Sequence, residues 1–139
     1  MTRAAAILLS VEAILISIVD DDGSIREATK TLLRSVGYQA GTFDSAELFL
    51  ASGALAETEC LIVDMRMPGM DGLELQRRLN AENSHVPIIF VTAHDDDMRR
   101  RQAMEAGAVD FFRKPFEANA LVEAVQAALC RRGSAGMDT

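Results

Sequence analysis

The sequence predicts an α/β domain built on one parallel sheet with helices on both faces. Short apolar runs alternate with amphipathic stretches five times along the chain, the pattern of strand–helix repeats. The length, 139 residues, suits one domain and leaves no room for a second core of ordinary size. Hydrophobic residues make up 49% of the chain but aromatics are scarce and Trp is absent, so the core is expected to be Ala, Val, Ile, Leu and Met.

The elements follow in order. Ile14 to Val19 is Ile-rich and runs directly into Asp20-Asp21-Asp22, which reads as a buried strand ending in acids. Ser24 with Glu27 predicts a capping box for a helix whose Ile25, Ala28, Leu32, Leu33 and Val36 share a face and which Gly37 stops. Tyr38 to Phe43 is a weaker strand. Asp44 with Glu47 repeats the cap signature ahead of a short helix ended by Gly53. Cys60 to Val63 is the third strand and delivers Asp64 at its end. Met65 to Asp71 is a loop containing Pro68-Gly69, and Asp71 with Glu74 caps the next helix. Pro87 to Val91 is the fourth strand, ending in Thr92, and a helix follows from about Asp96 to Ala106. Val109 to Phe112 is the fifth strand, ending at Lys114-Pro115. The last helix spans Glu117 to Cys130, and the small, polar residues 132–139 read as a frayed tail.

The N-terminus is apolar from residue 4 to 19 apart from Ser10, Glu12 and Ser17. Glu12 in mid-run and three aspartates at its end argue against a membrane span, and nothing else suggests export. The segment is read as an extension over residues 1–13, of unassigned role, leading into a domain over 14–131. Cys60 and Cys130 have no metal-ligand spacing and fit a reduced, cytoplasmic setting. A net charge of −7 gives no general attraction to nucleic acid or anionic membranes.

In an open parallel sheet, ligands bind beyond the carboxyl ends of the strands, near the point where strand order reverses. The polar residues expected there are Asp20, Asp21, Asp64, Thr92 and Lys114. Three carboxylates in one cleft repel, and a hard divalent cation such as Mg²⁺ relieves the repulsion while leaving positions for phosphate oxygens. Lys114 adds a second positive charge and Thr92 a hydroxyl. That set suits phosphoryl transfer to a carboxylate, with Asp64 at the end of a central strand as nucleophile and Asp20 and Asp21 holding the metal. Taken singly, Lys114 would be a surface charge, Thr92 a helix cap, and Phe111 and Phe112 core residues. Met65, Met67 and Met70 are read as packing around their loop, and His85 and His94 as lone histidines. Arg99-Arg100-Arg101 is read as a solvated or partner-facing patch, and Asp95-Asp96-Asp97 as a helix start.

The runs Val19-Asp20-Asp21-Asp22, Val63 to Gly72, Val91-Thr92-Ala93 and Phe111 to Phe116 resemble response-regulator receiver domains in order and spacing from about Ile14 to Leu129. The nitrogen-fixation regulator type is the most similar, since Arg66 and His94 have counterparts there and a DNA-binding domain follows. The resemblance implies a flavodoxin-like five-stranded sheet of order 2-1-3-4-5 with five helices. It implies that Asp64 takes phosphate from a phosphohistidine of a sensor kinase, so that the domain catalyses its own phosphoryl transfer and dephosphorylation without being a conventional enzyme. It further implies Mg²⁺ on Asp21 and Asp64 directly, on Asp20 through water and on the Arg66 carbonyl. Thr92 and Lys114 would contact the phosphoryl group, with Lys114-Pro115 cis. Thr92 and Phe111 would switch the face formed by the fourth helix, fifth strand and fifth helix, in favour of a partner or a homodimer. Phe111 replaces the Tyr common there, so its outward form has no hydroxyl to anchor.

Two other readings remain. Asp20-Asp21-Asp22-Gly23-Ser24 resembles the signature of haloacid-dehalogenase-type phosphatases, with Asp20 as nucleophile, but that leaves Asp64 unexplained and lacks a later acidic pair. A receiver-like interaction module that is never phosphorylated would not need the complete acid, Thr and Lys set. A stand-alone regulator and a piece of a longer transcription factor are both compatible with the sequence, although the tail reads as a natural end; no DNA-binding unit is expected within these residues.

Overall fold

The computed structural model of the chain describes residues 14–137, with side chains placed through residue 131. The strands are β1 (Leu15–Val19), β2 (Gln39–Phe43), β3 (Thr58–Asp64), β4 (Ile88–Thr92) and β5 (Asp110–Arg113). They form one sheet in the order β2-β1-β3-β4-β5, with every neighbouring pair parallel. The helices are α1 (Gly23–Ser35), α2 (Ala46–Ser52), α3 (Gly72–Ala81), α4 (Asp97–Glu105) and α5 (Ala118–Met137).

Alternate residues of each central strand feed two separate cores, as a strand's two-residue period requires. Val19, Leu61, Val63, Ile88 and Phe90 pack under α2, α3 and α4 with Phe49, Leu75, Leu79 and Ala103. Ile16, Ile18, Ile62, Ile89 and Val91 face α1 and α5 with Leu33, Leu121 and Val125. Burial on both faces explains why these strands read as continuous apolar runs rather than alternating ones. Strand order reverses between β1 and β3, so the crevice at their carboxyl ends is where the acids gather.

The ends of several elements depart from the sequence expectation. The N-cap of α1 is Asp22, whose carboxylate accepts from the N–H groups of Ser24 (3.0 Å) and Ile25 (3.3 Å), and not Ser24. The expected capping box fails because Asp22 brings a full charge to the helix N-terminus and Glu27 turns to Lys30 at 2.7 Å. In α2 the cap is Ser45, with Leu48 N–H on its hydroxyl at 3.1 Å, and not Asp44. Glu47 instead reaches out to the N–H of Met70 at 3.2 Å. A 3-10 turn over Ala54–Glu57 precedes β3, which starts at Thr58, ahead of Cys60. There Thr58 donates to the Ala54 carbonyl (2.7 Å) and meets the Ser17 hydroxyl at 2.7 Å. Helix α5 runs past Arg132 to Met137, through a stretch without proline that was expected to fray. The proposed extension over residues 1–13 lies outside the described residues.

The approach of α3 to β3 depends on a missing side chain. A Cβ at Gly72 would lie 2.7 Å from the Asp64 carbonyl oxygen, 2.9 Å from Phe90 Cε1 and 3.0 Å from Met65 Cα. Two of these neighbours are backbone, and Phe90 is fully buried, so none can give way cheaply. Gly72 N–H also donates to Met65 O at 3.0 Å, which ties the helix start to the strand end. Gly72→Ala should therefore destabilise the domain by about 1–3 kcal/mol despite alanine's better helix propensity. Urea denaturation checks this: an unchanged or raised midpoint would show that the contact is soft.

Candidate functional site

Four of the five strands deliver residues at their carboxyl ends to one crevice. Asp20 and Asp21 follow β1, Asp64 closes β3, Thr92 closes β4, and Lys114 follows β5. The carboxylates of Asp20, Asp21 and Asp64 each offer an oxygen within 4.8 Å of the others. Asp20 and Asp64 are buried and Asp21 is exposed, so the cluster opens on one side. Lys114 Nζ bridges the two buried members, 2.9 Å from Asp20 Oδ2 and 3.5 Å from Asp64 Oδ2. Main-chain donors hold the other oxygens: Asp22 N–H on Asp20 Oδ1 at 2.9 Å and Arg66 N–H on Asp64 Oδ1 at 3.3 Å. Arg26 of α1 reaches back to the Asp20 carbonyl at 2.7 Å and fixes the acidic turn from behind.

One ammonium does not balance three carboxylates. Burial pushes the Asp64 carboxyl up to about 7, helped by the charge of Asp20 and the hydrogen bond with Asp21, while Lys114 and the Arg66 N–H oppose the rise. Burial works against the Lys114 charge too, but its hydrogen bond to Asp20 and the charges of Asp64 and Asp20 outweigh that and raise its pKa. The donors are all hard oxygens, the cluster is open on one side, and Lys114 relieves their mutual repulsion only in part. A hard divalent cation fits such a set, and a soft metal does not.

The other expected residues are placed less uniformly. Thr92 is buried, and its hydroxyl accepts the His94 N–H at 3.1 Å; its link to the cluster is main chain, from Lys114 N–H to Thr92 O at 2.6 Å. Lys114-Pro115 is cis. Phe111 is half-buried against Phe90, with ring centroids 6.5 Å apart, and the Arg100 guanidinium lies 6.0 Å over its ring. The missing tyrosine hydroxyl is thus matched by a cation–π contact that the sequence reading had not foreseen. Met65 and Met67 are buried and Met70 packs against the same core, which supports packing over soft-metal binding.

Sequence reasoning missed four contributors besides Gly72. Arg26 acts on the Asp20 carbonyl just across the turn before its helix, and Glu47 on the Met70 N–H in a distant loop; neither follows from a capping or periodicity pattern. Arg66 was assigned only its carbonyl, yet its guanidinium pairs with Asp96 at 2.9 Å. Arg99, which the sequence reads as part of a solvated or partner-facing patch, pairs with Asp71 (3.2 Å) and Asp96 (3.3 Å).

A doubly wound sheet with an acidic cluster and a lysine at its switch point defines an α/β domain equipped to handle a phosphoryl group. Comparison with known families makes that specific: residues 16–126 match the response regulator receiver domain, and the chain belongs to that family. It is a receiver domain of the kind carried by two-component response regulators. It is 44% identical over 121 residues to the response regulator protein TodT of Pseudomonas putida, covering 87% of this chain and 53% of that protein. Against the transcriptional regulatory protein FixJ of Azorhizobium caulinodans it is 39% identical over 125 residues, covering 90% and 59%. The solved structure of the response regulator StyR superposes with a TM-score of 0.81 at 43% identity, over 91% of this chain and 66% of that one. The chain spans about half the length of the curated relatives it matches. The family match does not favour the dehalogenase-type reading of Asp20.

The raised Asp64 pKa has a consequence for stability. The folded state binds this proton more tightly than the open chain, so Asp64's contribution is full below the ordinary aspartate range and is lost as pH rises to about 7. Without divalent cations, Asp64→Asn should stabilise the domain above pH 7 by on the order of 1–4 kcal/mol, with a smaller gain at about pH 5.5. Urea midpoints of the two proteins in chelator, at both pH values, measure this. A gain independent of pH, or a loss, contradicts the assignment.

Proposed function

We propose that Asp64 is the phosphoryl acceptor of this receiver domain and that Asp20, Asp21, Thr92 and Lys114 complete its site. The observation that carries the reading is the Lys114 bridge between two buried carboxylates, only one of which ends a central strand. Asp20 has an oxygen on the Asp22 N–H and the other on Lys114, and it is 1% exposed. Asp64, flanked by β1 and β4, has longer contacts to the Arg66 N–H and Lys114 at 3.3 and 3.5 Å and lies beside the exposed Asp21. An Asp64 oxygen attacks the phosphorus of a phosphohistidine; the O–P bond forms as the P–N bond breaks, and the imidazole leaves with a proton.

Lys114 neutralises charge on the transferred group and follows it, leaving Asp20. Thr92 turns its hydroxyl from the local His94 contact to a phosphoryl oxygen, and Phe111 moves behind it. Mg²⁺ bound by Asp21 and Asp64, by Asp20 through water and by the Arg66 carbonyl would keep Asp64 ionised and screen the incoming charge. Water attack on the acyl phosphate returns Asp64 to its starting state.

A sensor histidine kinase is the donor in this reading, and the face of α4, β5 and α5 is the output surface, for a partner or a second copy. Domain limits of 14–131 and a cytoplasmic setting belong to the same proposal. No described helix is long and apolar enough to cross a membrane.

Acetyl phosphate with Mg²⁺ should add one acid- and hydroxylamine-labile phosphoryl group, located at Asp64 by mass spectrometry. Label persisting in Asp64→Asn, or appearing on Asp20, would sink the assignment; no label would favour a non-phosphorylated interaction module. Lys114→Ala should still be labelled but lose any phosphate-dependent change in size-exclusion elution. Intact phosphate-dependent dimerisation in that variant would show that Lys114 does not couple the two events.

A further inference from the structure

Helix α4 is attached to the domain unlike its neighbours. Only Ala103 of its residues is buried, so apolar packing contributes little to holding it. Its last turn is held by two amides of α3: Gln76 Nε2 donates to Ala103 O at 2.9 Å and Asn80 Nδ2 to Ala106 O at 3.0 Å. Its first turn is held by charge. Asp96, the N-cap of α4, accepts the Arg99 N–H at 3.1 Å and receives the Arg66 guanidinium at 2.9 Å. Arg99 then joins Asp96 to Asp71, the N-cap of α3, at 3.3 and 3.2 Å. Asp96's carboxyl is held below the usual range, first by the Arg99 N–H and then by Arg66, consistent with that network.

Arg66 has a place in both the network and the site. Its N–H contacts Asp64 Oδ1, while its side chain, 45% exposed, leans away to Asp96. A phosphoryl group on Asp64 brings up to about −2 charge, and a guanidinium pairs with phosphate at least as well as with a carboxylate. Resting on the reading of Asp64 as acceptor, we propose that Arg66 is a charge latch: its guanidinium holds the α4 N-cap in the resting state, and a phosphoryl group on Asp64 competes for it, freeing the first turn of α4 while Gln76 and Asn80 keep the last turn docked. Arg100 lies on the turn that is freed, so release also removes the cation over Phe111.

Hydrogen exchange of the whole protein tests this, read over residues 97–102 and 103–106. Asp96→Asn keeps a competent N-cap but loses both ion pairs; Asp97→Asn removes the same charge from the same turn and is the control. In the resting protein, Asp96→Asn and Arg66→Gln should each raise exchange over 97–102 by about two- to five-fold, the range of half-exposed ion pairs. About 1 M salt should do the same to wild type and little to Asp96→Asn. Residues 103–106 should stay protected throughout. Beryllium fluoride with Mg²⁺, its binding followed by fluorine NMR, should bring wild type to the level of Asp96→Asn. Equal exchange in Asp96→Asn and Asp97→Asn overturns the latch, and so does a bound fluoroberyllate signal with residues 97–102 still protected. Absence of any bound signal overturns the acceptor reading and with it the competition, whereas the resting-state comparison judges the latch independently.

Discussion

The arrangement depends on one ammonium lying between two buried carboxylates. Lys114 touches Asp20 and Asp64 together, and nearly all of its contact is out of water. Such a cluster is poor value as a stabiliser, because removing the charges from water costs about as much as their attraction returns. Its use is that the balance is incomplete. Two buried acids and a third beside them share one lysine, leaving Asp64 neutral part of the time near neutral pH and eager for a cation. The fold around it holds that imbalance in place: parallel register brings Val19, Val63, Phe90 and Phe111 level, so Asp20 and Asp64 come side by side, with Thr92 one residue and Lys114 two residues further along their own strands.

Much of this was legible because strand burial and strand termination leave separate marks. Apolar runs that stop at Asp, Thr or Lys predict both the sheet and the residues at its carboxyl edge. Helix starts were less legible. Near Asp22 and Ser24, and again near Asp44 and Ser45, two good cap residues lie almost side by side. The choice between them depends on where the chain leaves the sheet, which is a tertiary fact. The polar links between distant segments were not legible at all. Glu47, Gln76 and Arg66 each act on a partner that local spacing cannot name, and each looks on paper like a solvated residue.

Phe111 shows how a local rule misleads when one side of a contact is invisible. Without a hydroxyl, its exposed edge seemed to have nothing polar to meet. The structure supplies Arg100 over the ring, from a basic cluster that the sequence presents as solvent-facing. A cation over an aromatic face is weak when exposed, on the order of 0.5–1 kcal/mol, and so is easily exchanged for another state. That suits a residue between a rigid core neighbour, Phe90, and a weakly anchored helix.

Rigidity and softness are divided sharply around Asp64. The loop after it is pinned along its length: Met65 and Met67 are buried, Met70 N–H is held by Glu47, and Gly69 sits at φ +74° where a side chain would meet that same carboxylate. Gly72 then locks the start of α3 against the Asp64 carbonyl. Main chain so constrained cannot carry a signal by moving, since close-packed backbone resists small displacements. What can move is a side chain whose root is fixed and whose head is in water, and in this loop Arg66 has both properties. With Asp64 as the proposed acceptor, a signal leaving it on this side travels as a change of partner for a guanidinium rather than as a shift of the loop, and the helix it reaches is the one that charge, not apolar packing, holds down at its near end.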